Sequence, residues 1–268
     1  MKIITVAILL FLSANHPAFC GEIIDKNWYR PDVDVTWHWQ LQGDIEQLHD
    51  VDIYNIDLFD TSAKKISQLQ EHGYKIICYF SAGSWEEWRA DAKNYPKEAI
   101  GNALNNWKGE YWLDIRNTAV RILIQERLRL AQKKGCDGVE PDNIDVYLYE
   151  NNGFDITKQD QLQFAYYLAH EAHHLGLAVA LKNLSALTEQ LASHFDLVIT
   201  ERCHEHGTCG AYEHFIKAGK PVLNAEYSQR YFNIRNFQKL CQYSLKLGIN
   251  SLLLPLKLDD GFRYSCLN

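Results

Sequence analysis

No apolar run in the sequence is long enough to cross a bilayer. Ile3–Leu12 is a run of ten with Thr5 as its only polar member, about half of the 20 residues that a helical span needs. Basic residues are also in short supply. There are 27 Lys and Arg against 34 Asp and Glu, a formal charge of −7, which argues against nucleic acid or an anionic membrane surface as the main partner. A glycine-rich phosphate loop is missing, so a dinucleotide-binding doubly wound sheet has little support. So are linker-like stretches and any repeat beyond a strand–helix unit. The 268 residues therefore read as one domain of the size of an α/β barrel. A content of 47% hydrophobic and 23% charged residues excludes wholesale disorder.

Residues 1–20 have the form of a signal peptide: Met1-Lys2 is a positive start, Ile3–Leu12 an apolar core, and Ala18 and Cys20 are small residues before Gly21. The expected domain is 21–268, secreted or periplasmic. Six cysteines remain beyond Cys20, and export permits disulfides. Cys203 and Cys209 bracket a short loop, and Cys241 with Cys266 would pin the C-terminal tail. The expectation is two bridges, with Cys78 and Cys136 as buried thiols.

Eight β-rich runs recur: Val33–Trp37, Val51–Asp57, Lys75–Phe80, Gly138–Asp142, Leu177–Lys182, Leu197–Glu201, Pro221–Glu226 and Ile249–Leu254. Between them lie amphipathic stretches at Ser62–His72, Thr118–Lys134, Gln159–Leu175, Leu184–His194, Ala211–Ala218 and Asn233–Leu247. Glycines 73, 135, 176, 219 and 248 follow several of these, as helix C-caps do. Alternation of this kind implies parallel strands with crossover helices, and eight strands imply a single (β/α)8 TIM-type barrel.

Six runs begin apolar and finish polar. They end in Asp57 with Asp60 beyond, Tyr79 and Ser81, Glu140-Pro141-Asp142-Asn143 with Asp145 beyond, Lys182-Asn183, Thr200-Glu201-Arg202, and Asn224-Ala225-Glu226-Tyr227. Strand C-termini converge on the barrel mouth, where active sites sit, and buried charge without such a purpose is costly. Glu140 and Asp142, two apart, point the same way, and one of them can pair with Lys182 inside the barrel. Two opposed carboxylates across a mouth are the equipment of glycoside hydrolysis. Asp142 and Glu201 are the expected pair, with Glu226 the rival for the second place. Trp37, Trp39, Trp85, Trp88, Tyr79 and Tyr227 stand near strand ends, some to stack on sugar rings and some to fill the core. Asp57, Asp60 and Asp145 exceed what hydrolysis needs and are expected to hold a positive group.

His170-Glu171-Ala172-His173-His174 matches the zinc-peptidase pattern H-E-x-x-H. The apolar stripe of the same helix (Leu162, Ala165, Leu168, Ala169, Ala172, Leu175) lies opposite His170 and His174. Those histidines should therefore face solvent, and a zinc peptidase is the weaker reading.

Nine segments in order carry a resemblance: Trp37–Leu41, Val51–Asp60, Cys78–Ser84, Trp88–Asp91, Trp112–Arg116, Glu140–Asn143, Leu181–Asn183, Glu201–Cys203 and Ala225–Tyr227. Together they resemble glycoside hydrolase family 114, the endo-α-1,4-polygalactosaminidases, over nearly the whole chain beyond residue 20. The resemblance implies a (β/α)8 barrel that cuts α-1,4-linked galactosamine polymers internally, with catalytic carboxylates at Asp142 and Glu201. Substrate contacts are expected from Asp57, Asp60, Tyr79, Glu140, Asn143, Asp145, Lys182, Glu226, Tyr227 and Trp39. Arg202 is bulkier than that pattern suggests. No metal or organic cofactor is expected, and the partner is a galactosamine or N-acetylgalactosamine polysaccharide met by a monomer. The alternative is a barrel that binds such a polymer without cutting it.

Overall fold

A computed structural model describes residues 27–267; the expected signal peptide lies outside them. Eight parallel strands form one curled sheet: β1 (Trp37–Gln40), β2 (Ile53–Asp57), β3 (Lys75–Ser81), β7 (Gly138–Asp142), β8 (Ala178–Lys182), β9 (Leu197–Glu201), β10 (Val222–Glu226) and β11 (Ile249–Leu253). Helices α1 (Ala63–Glu71), α2 (Thr118–Lys134), α3 (Lys158–His174), α4 (Thr188–Leu191), α5 (Cys203–His206), α6 (Glu213–Lys217) and α7 (Ile234–Leu247) connect them from β2 onward. A short β12 (Tyr264–Ser265) pairs antiparallel with β11.

The period of two along each strand separates two apolar layers. Val35, Trp37, Trp39, Ile53, Ile77, Ala180, Ile199, Leu223, Ala225 and Leu252 pack as one inner cluster. Their strand neighbours Tyr54, Ile56, Ile76, Phe80, Val139, Val179, Leu181, Val198 and Val222 pack outward with the helices. Residues from both edges of the sheet meet in the inner cluster, which is the interior of a TIM-like barrel. Between β11 and β1 side chains take the place of the ladder. Asn250 Nδ2 donates to Val33 O at 3.1 Å and Val35 O at 2.9 Å, and Trp37 Nε1 donates to Asn250 O at 3.2 Å. That use of Val33 and Val35 explains why the first strand starts at Trp37, four residues later than the run Val33–Trp37 suggests.

The long helices match their amphipathic stretches because their ends carry local signals. Asn117 and Asn233 cap α2 and α7, Thr157 and Asp160 form a capping box on α3, and Gly135 and Gly248 close α2 and α7 in the left-handed region. The two stretches expected at Leu184–His194 and Ala211–Ala218 are shorter helices preceded by 3-10 turns. Leu184, at φ 50°, cannot start an α-helix, and the Cys203–Cys209 bridge tightens the chain before α6.

Among the described residues three disulfides are present, not two. Cys203–Cys209 and Cys241–Cys266 match expectation, while Cys78 bonds to Cys136. Cys78 shares the outward parity of Ile76 and Phe80, and Cys136 follows the turn that ends α2 against β3, so the expected free thiols face each other. Three further strands form a small antiparallel sheet between β3 and α2: β4 (Ser84–Glu86), β5 (Ile100–Ala103) and β6 (Glu110–Leu113). Ser84, at its start, contacts Ser81 at the end of β3 and Asn143 just after β7.

Candidate active site

Glu140 and Asp142 continue the inward parity of β7, Lys182 that of β8, and Glu201 that of β9. At their meeting point the buried Lys182 ammonium lies 3.0 Å from Asp142 Oδ1, 3.2 Å from Glu201 Oε2 and 3.3 Å from Glu140 Oε1. Burial alone would lower the Lys182 pKa, but Asp142, Glu201 and Glu140 hold it well above the ordinary lysine value. Trp39 and Tyr79 flank the ammonium, with ring centroids 4.9 and 5.8 Å away. Both acids reach solvent: the Asp142 side chain is 17% exposed and that of Glu201 29%, against 0% for Glu140.

Each of the two exposed acids is held by a second contact. Asp142 Oδ1 accepts from the Asn143 amide at 2.6 Å. Tyr227 Oη donates to Glu201 Oε1 at 2.5 Å, and Asn183 Oδ1 accepts from the Glu201 amide at 3.0 Å. The residues that follow Asp142, Lys182 and Glu201 all turn into the left-handed region: Asn143 at φ 57°, Asn183 at φ 51° and Arg202 at φ 56°. Asn tolerates that conformation and Arg does so at a cost. The strands thus stop abruptly and leave their last side chains at the rim. The Asn143 turn also needs Gly83, where a Cβ would stand 1.7 Å from Asn143 O. The Asn143 amide group donates to Ser81 Oγ at 2.9 Å and Ser84 Oγ at 3.2 Å, and Ser84 reaches Glu110 Oε2 at 3.2 Å.

The carboxyls around this pair are shifted upward. Burial, opposed by Lys182, pushes Glu140 up to about 8. Burial and the Asp142 charge push the half-buried Asp145 up to about 7. Burial with Glu86 and Asp142 does the same to Glu110, also to about 7. Tyr79 and Tyr227 lie well above the ordinary phenol value, chiefly through burial. Clusters of this kind in a cleft are typical of functional sites.

Four expected substrate contacts read differently in the structure. Glu140 is wholly enclosed, with Oε2 bonded to Asn55 Nδ2, so it forms the floor below Asp142. Glu226 has the outward parity of Val222, opposite to Ala225 and Tyr227. It is fully buried, and its Oε1 accepts from the His204 amide at 2.9 Å and from Asn224 Nδ2 at 3.3 Å. That orientation removes it as a rival to Glu201. Asp57 is inward, but its oxygens are occupied. Arg89 grips it at 3.1 and 2.7 Å, and the Phe59 and Asp60 amides donate to Oδ1. Asp60 stays exposed and reaches Arg89 at 3.6 Å. With Asp57 it lines a depression beside Gln40 and Gly43.

Sequence reasoning missed Arg89 and Arg127. Arg89 also bonds Glu86 at 2.9 Å, while Arg127 holds Asp91 at 2.8 Å and Ser81 O at 2.6 Å. These two cations fasten the insert to the barrel; the segment Trp88–Asp91 was the visible trace of that network. Among the aromatics, Trp37 and Trp39 are 1% exposed and fill the barrel, Trp85 is half-buried, and Trp88 is 53% exposed. On α3 the His170 and His174 rings stand 6.4 Å apart on the exposed side, and Glu171 bonds Gln125 Nε2. That segment does not approach the mouth.

The model of glycoside-hydrolase family GH114 matches residues 22–268. Among solved structures, Aspergillus fumigatus Ega3, in complex with galactosamine, is 32% identical at a TM-score of 0.83, over 90% of this chain and 98% of that one. The glycoside hydrolase domain of PelA from Pseudomonas aeruginosa shares the fold at 14% identity and a TM-score of 0.65, over 84% of this chain and 95% of that one. Eubacterium rectale Amy13B shares it at 10% identity and 0.53, over 83% and 64%. No curated protein matches in sequence. With a family match across all of the described residues and an Asp–Glu pair at the barrel mouth, the chain is a glycosidase that belongs to glycoside-hydrolase family GH114.

Proposed function

We propose that this glycosidase cuts α-1,4-linked galactosamine polysaccharide internally, with retention of configuration, and that Asp142 and Glu201 carry the reaction. The observation that carries the reading is their common hold on Lys182. Asp142 Oδ1 and Glu201 Oε2 cannot lie further apart than the sum of their two contacts with the ammonium, 6.2 Å. That ceiling, set on the two oxygens that touch the ammonium, favours the roughly 5–5.5 Å carboxyl separation of retaining enzymes over the about 6.5–9.5 Å of inverting ones.

Both anchoring contacts of Asp142 fall on Oδ1, which leaves Oδ2 to attack the anomeric carbon. As that bond forms, the glycosidic C–O bond breaks and Glu201 gives its proton to the departing oxygen. A water then enters, Glu201 takes its proton, and the water oxygen displaces Asp142 from the anomeric carbon. Glu201 must leave one of its two free-state partners to do this. Lys182 stays in place because Asp142 and Glu140 still hold it.

The substrate class follows from the galactosamine bound to the related Ega3 and from the acidic mouth. A free amino sugar is cationic at neutral pH, and Asp145 beside Asp142 offers a carboxyl that such an amine would ionise. Three disulfides suit an exported protein, and no helix among the described residues is long and apolar enough to cross a membrane.

The test uses polymers of galactosamine, N-acetylgalactosamine and glucosamine with the wild type and the variants Asp142→Asn and Glu201→Gln. New reducing ends and a rapid fall in chain length on the galactosamine polymer, absent in both variants, are expected. Binding without new ends would make the protein a receptor barrel instead. Wild-type turnover in either variant would remove that residue from the mechanism.

A further inference from the structure

A second group of converging donors lies outside the barrel wall, on the face of β1 opposite the mouth residues. His38 stands between the inward Trp37 and Trp39 and therefore points outward, beside Tyr54 across the ladder. Its ring meets that of His49, from the β1–β2 loop, with centroids 4.2 Å apart. Asp260 reaches the pair from the segment after β11. Its Oδ1 lies 2.8 Å from His49 Nε2 and 3.4 Å from His38 Nε2. One donor atom from each residue falls within 4.8 Å of the others.

Hydrogen bonding within the group leaves this arrangement incomplete. His49 takes the Asp260 oxygen. His38 is fully buried, and neither of its ring nitrogens has a hydrogen bond of good geometry among the described residues, with Gln40 its polar neighbour on the same face of β1. A buried imidazole in that condition is costly, and one aimed at a second imidazole and a carboxylate is a ligand set.

We propose that His38, His49 and Asp260 form a binding site for a divalent transition-metal ion of the zinc type, with its fourth position open to solvent. Two imidazoles and one carboxylate suit zinc. Bonds of about 2.0–2.2 Å in a tetrahedral shell place donors roughly 3.3 Å apart, close to the 2.8 and 3.4 Å already present. Side-chain exposures of 15% for His49 and 13% for Asp260 give the ion a way in. The role is a structural clip. The three ligands come from β1, the β1–β2 loop and the tail, on either side of the seam where β11 and β1 lack a backbone ladder. Hydrolysis does not pass through this ion.

The experiment is a zinc titration of the chelator-treated, dialysed protein by calorimetry, with cobalt(II) absorption as a spectroscopic readout. Asp260→Asn and His49→Gln remove ligands, and one of them with a native circular dichroism spectrum suffices. A His170→Gln/His174→Gln variant controls for adventitious binding on α3. The expected result is one zinc per wild-type chain, visible bands of four-coordinate cobalt and a higher unfolding temperature with zinc. Affinity should fall at least tenfold in each ligand variant and stay unchanged in the α3 variant, with polymer cleavage equal with and without zinc. Absence of stoichiometric binding, or binding that survives loss of Asp260 and His49 but not of His170 and His174, would overturn the proposal.

Discussion

Asp142 and Glu201 end two strands of the barrel, and Asp57 and Glu226 end two others, yet the four carboxylates have different fates. The first pair shares one ammonium and keeps an exposed edge. Asp57 is saturated by Arg89 and two backbone amides, and Glu226 is turned into the layer beneath α5. Strand parity accounts for Glu226: with Leu223 and Ala225 in the inner cluster, only Tyr227 of the following residues can face the mouth. Supply of partners accounts for Asp57: a full set of donors leaves a carboxylate no capacity for a ligand. A strand-end position brings a carboxylate to the mouth, and unsatisfied bonding capacity at an exposed edge completes the requirement.

The largest effect should separate the pairs in turnover. Asp142→Asn and Glu201→Gln are expected to lower kcat by about 10²–10⁴-fold, while Glu226→Gln leaves kcat near wild type; steady-state assays on the galactosamine polymer check this. Equal losses at Glu201 and Glu226 would break the comparison.

Stability should sharpen it next. Lys182→Met strands three carboxylates, Arg89→Met takes the paired cation from Asp57 and leaves Glu86 only Arg127 at 3.4 Å, and loss of one partner of a buried ion pair costs about 3–5 kcal/mol. Urea denaturation at neutral pH should show a loss of that order in both variants. Only Lys182→Met should also abolish cleavage under conditions where the protein remains folded.

Linkage gives a third, smaller signature. Folding raises Glu140 to about 8 and Glu110 and Asp145 to about 7, against an unfolded value of about 4. The folded state therefore binds more protons, and the stability these groups contribute is full below about pH 4 and lost as pH rises through 7 to 8. The melting temperature should fall from about pH 5 to about pH 8, and Glu110→Gln should flatten that slope. Asp160, Glu205 and Glu213 are shifted downward by their partners, so their contribution is lost only on the acid side of this window. The smallest effect concerns recognition: Asp145→Asn should raise KM for the free-amine polymer and leave KM for the acetylated one unchanged.

Much of this arrangement is legible in the sequence, because strands of four to seven residues that end in polar groups carry both their parity and their direction. The pattern Leu223-Asn224-Ala225-Glu226-Tyr227 already contains the fact that Glu226 and Tyr227 face opposite ways. Pairing of Lys182 with a β7 acid was visible for the same reason; its hold on three acids at once required the closed geometry. The insert was hidden because β4, β5 and β6 are three or four residues long and carry Gly101, Glu86 and Glu110, which weakens any β signal. Cys78 and Cys136, 58 residues apart, come together only through the path of α2. Arg89 and Arg127 look like ordinary surface charges until the insert folds over them.

The central claim is that Asp142 attacks the sugar while Glu201 handles the proton, and the stereochemistry of the first product tests it most directly. Proton NMR during early cleavage of an α-1,4-galactosamine oligomer should show the α-anomer at the new reducing end before mutarotation. The β-anomer appearing first would contradict it, since a water rather than Asp142 would then have attacked the anomeric carbon.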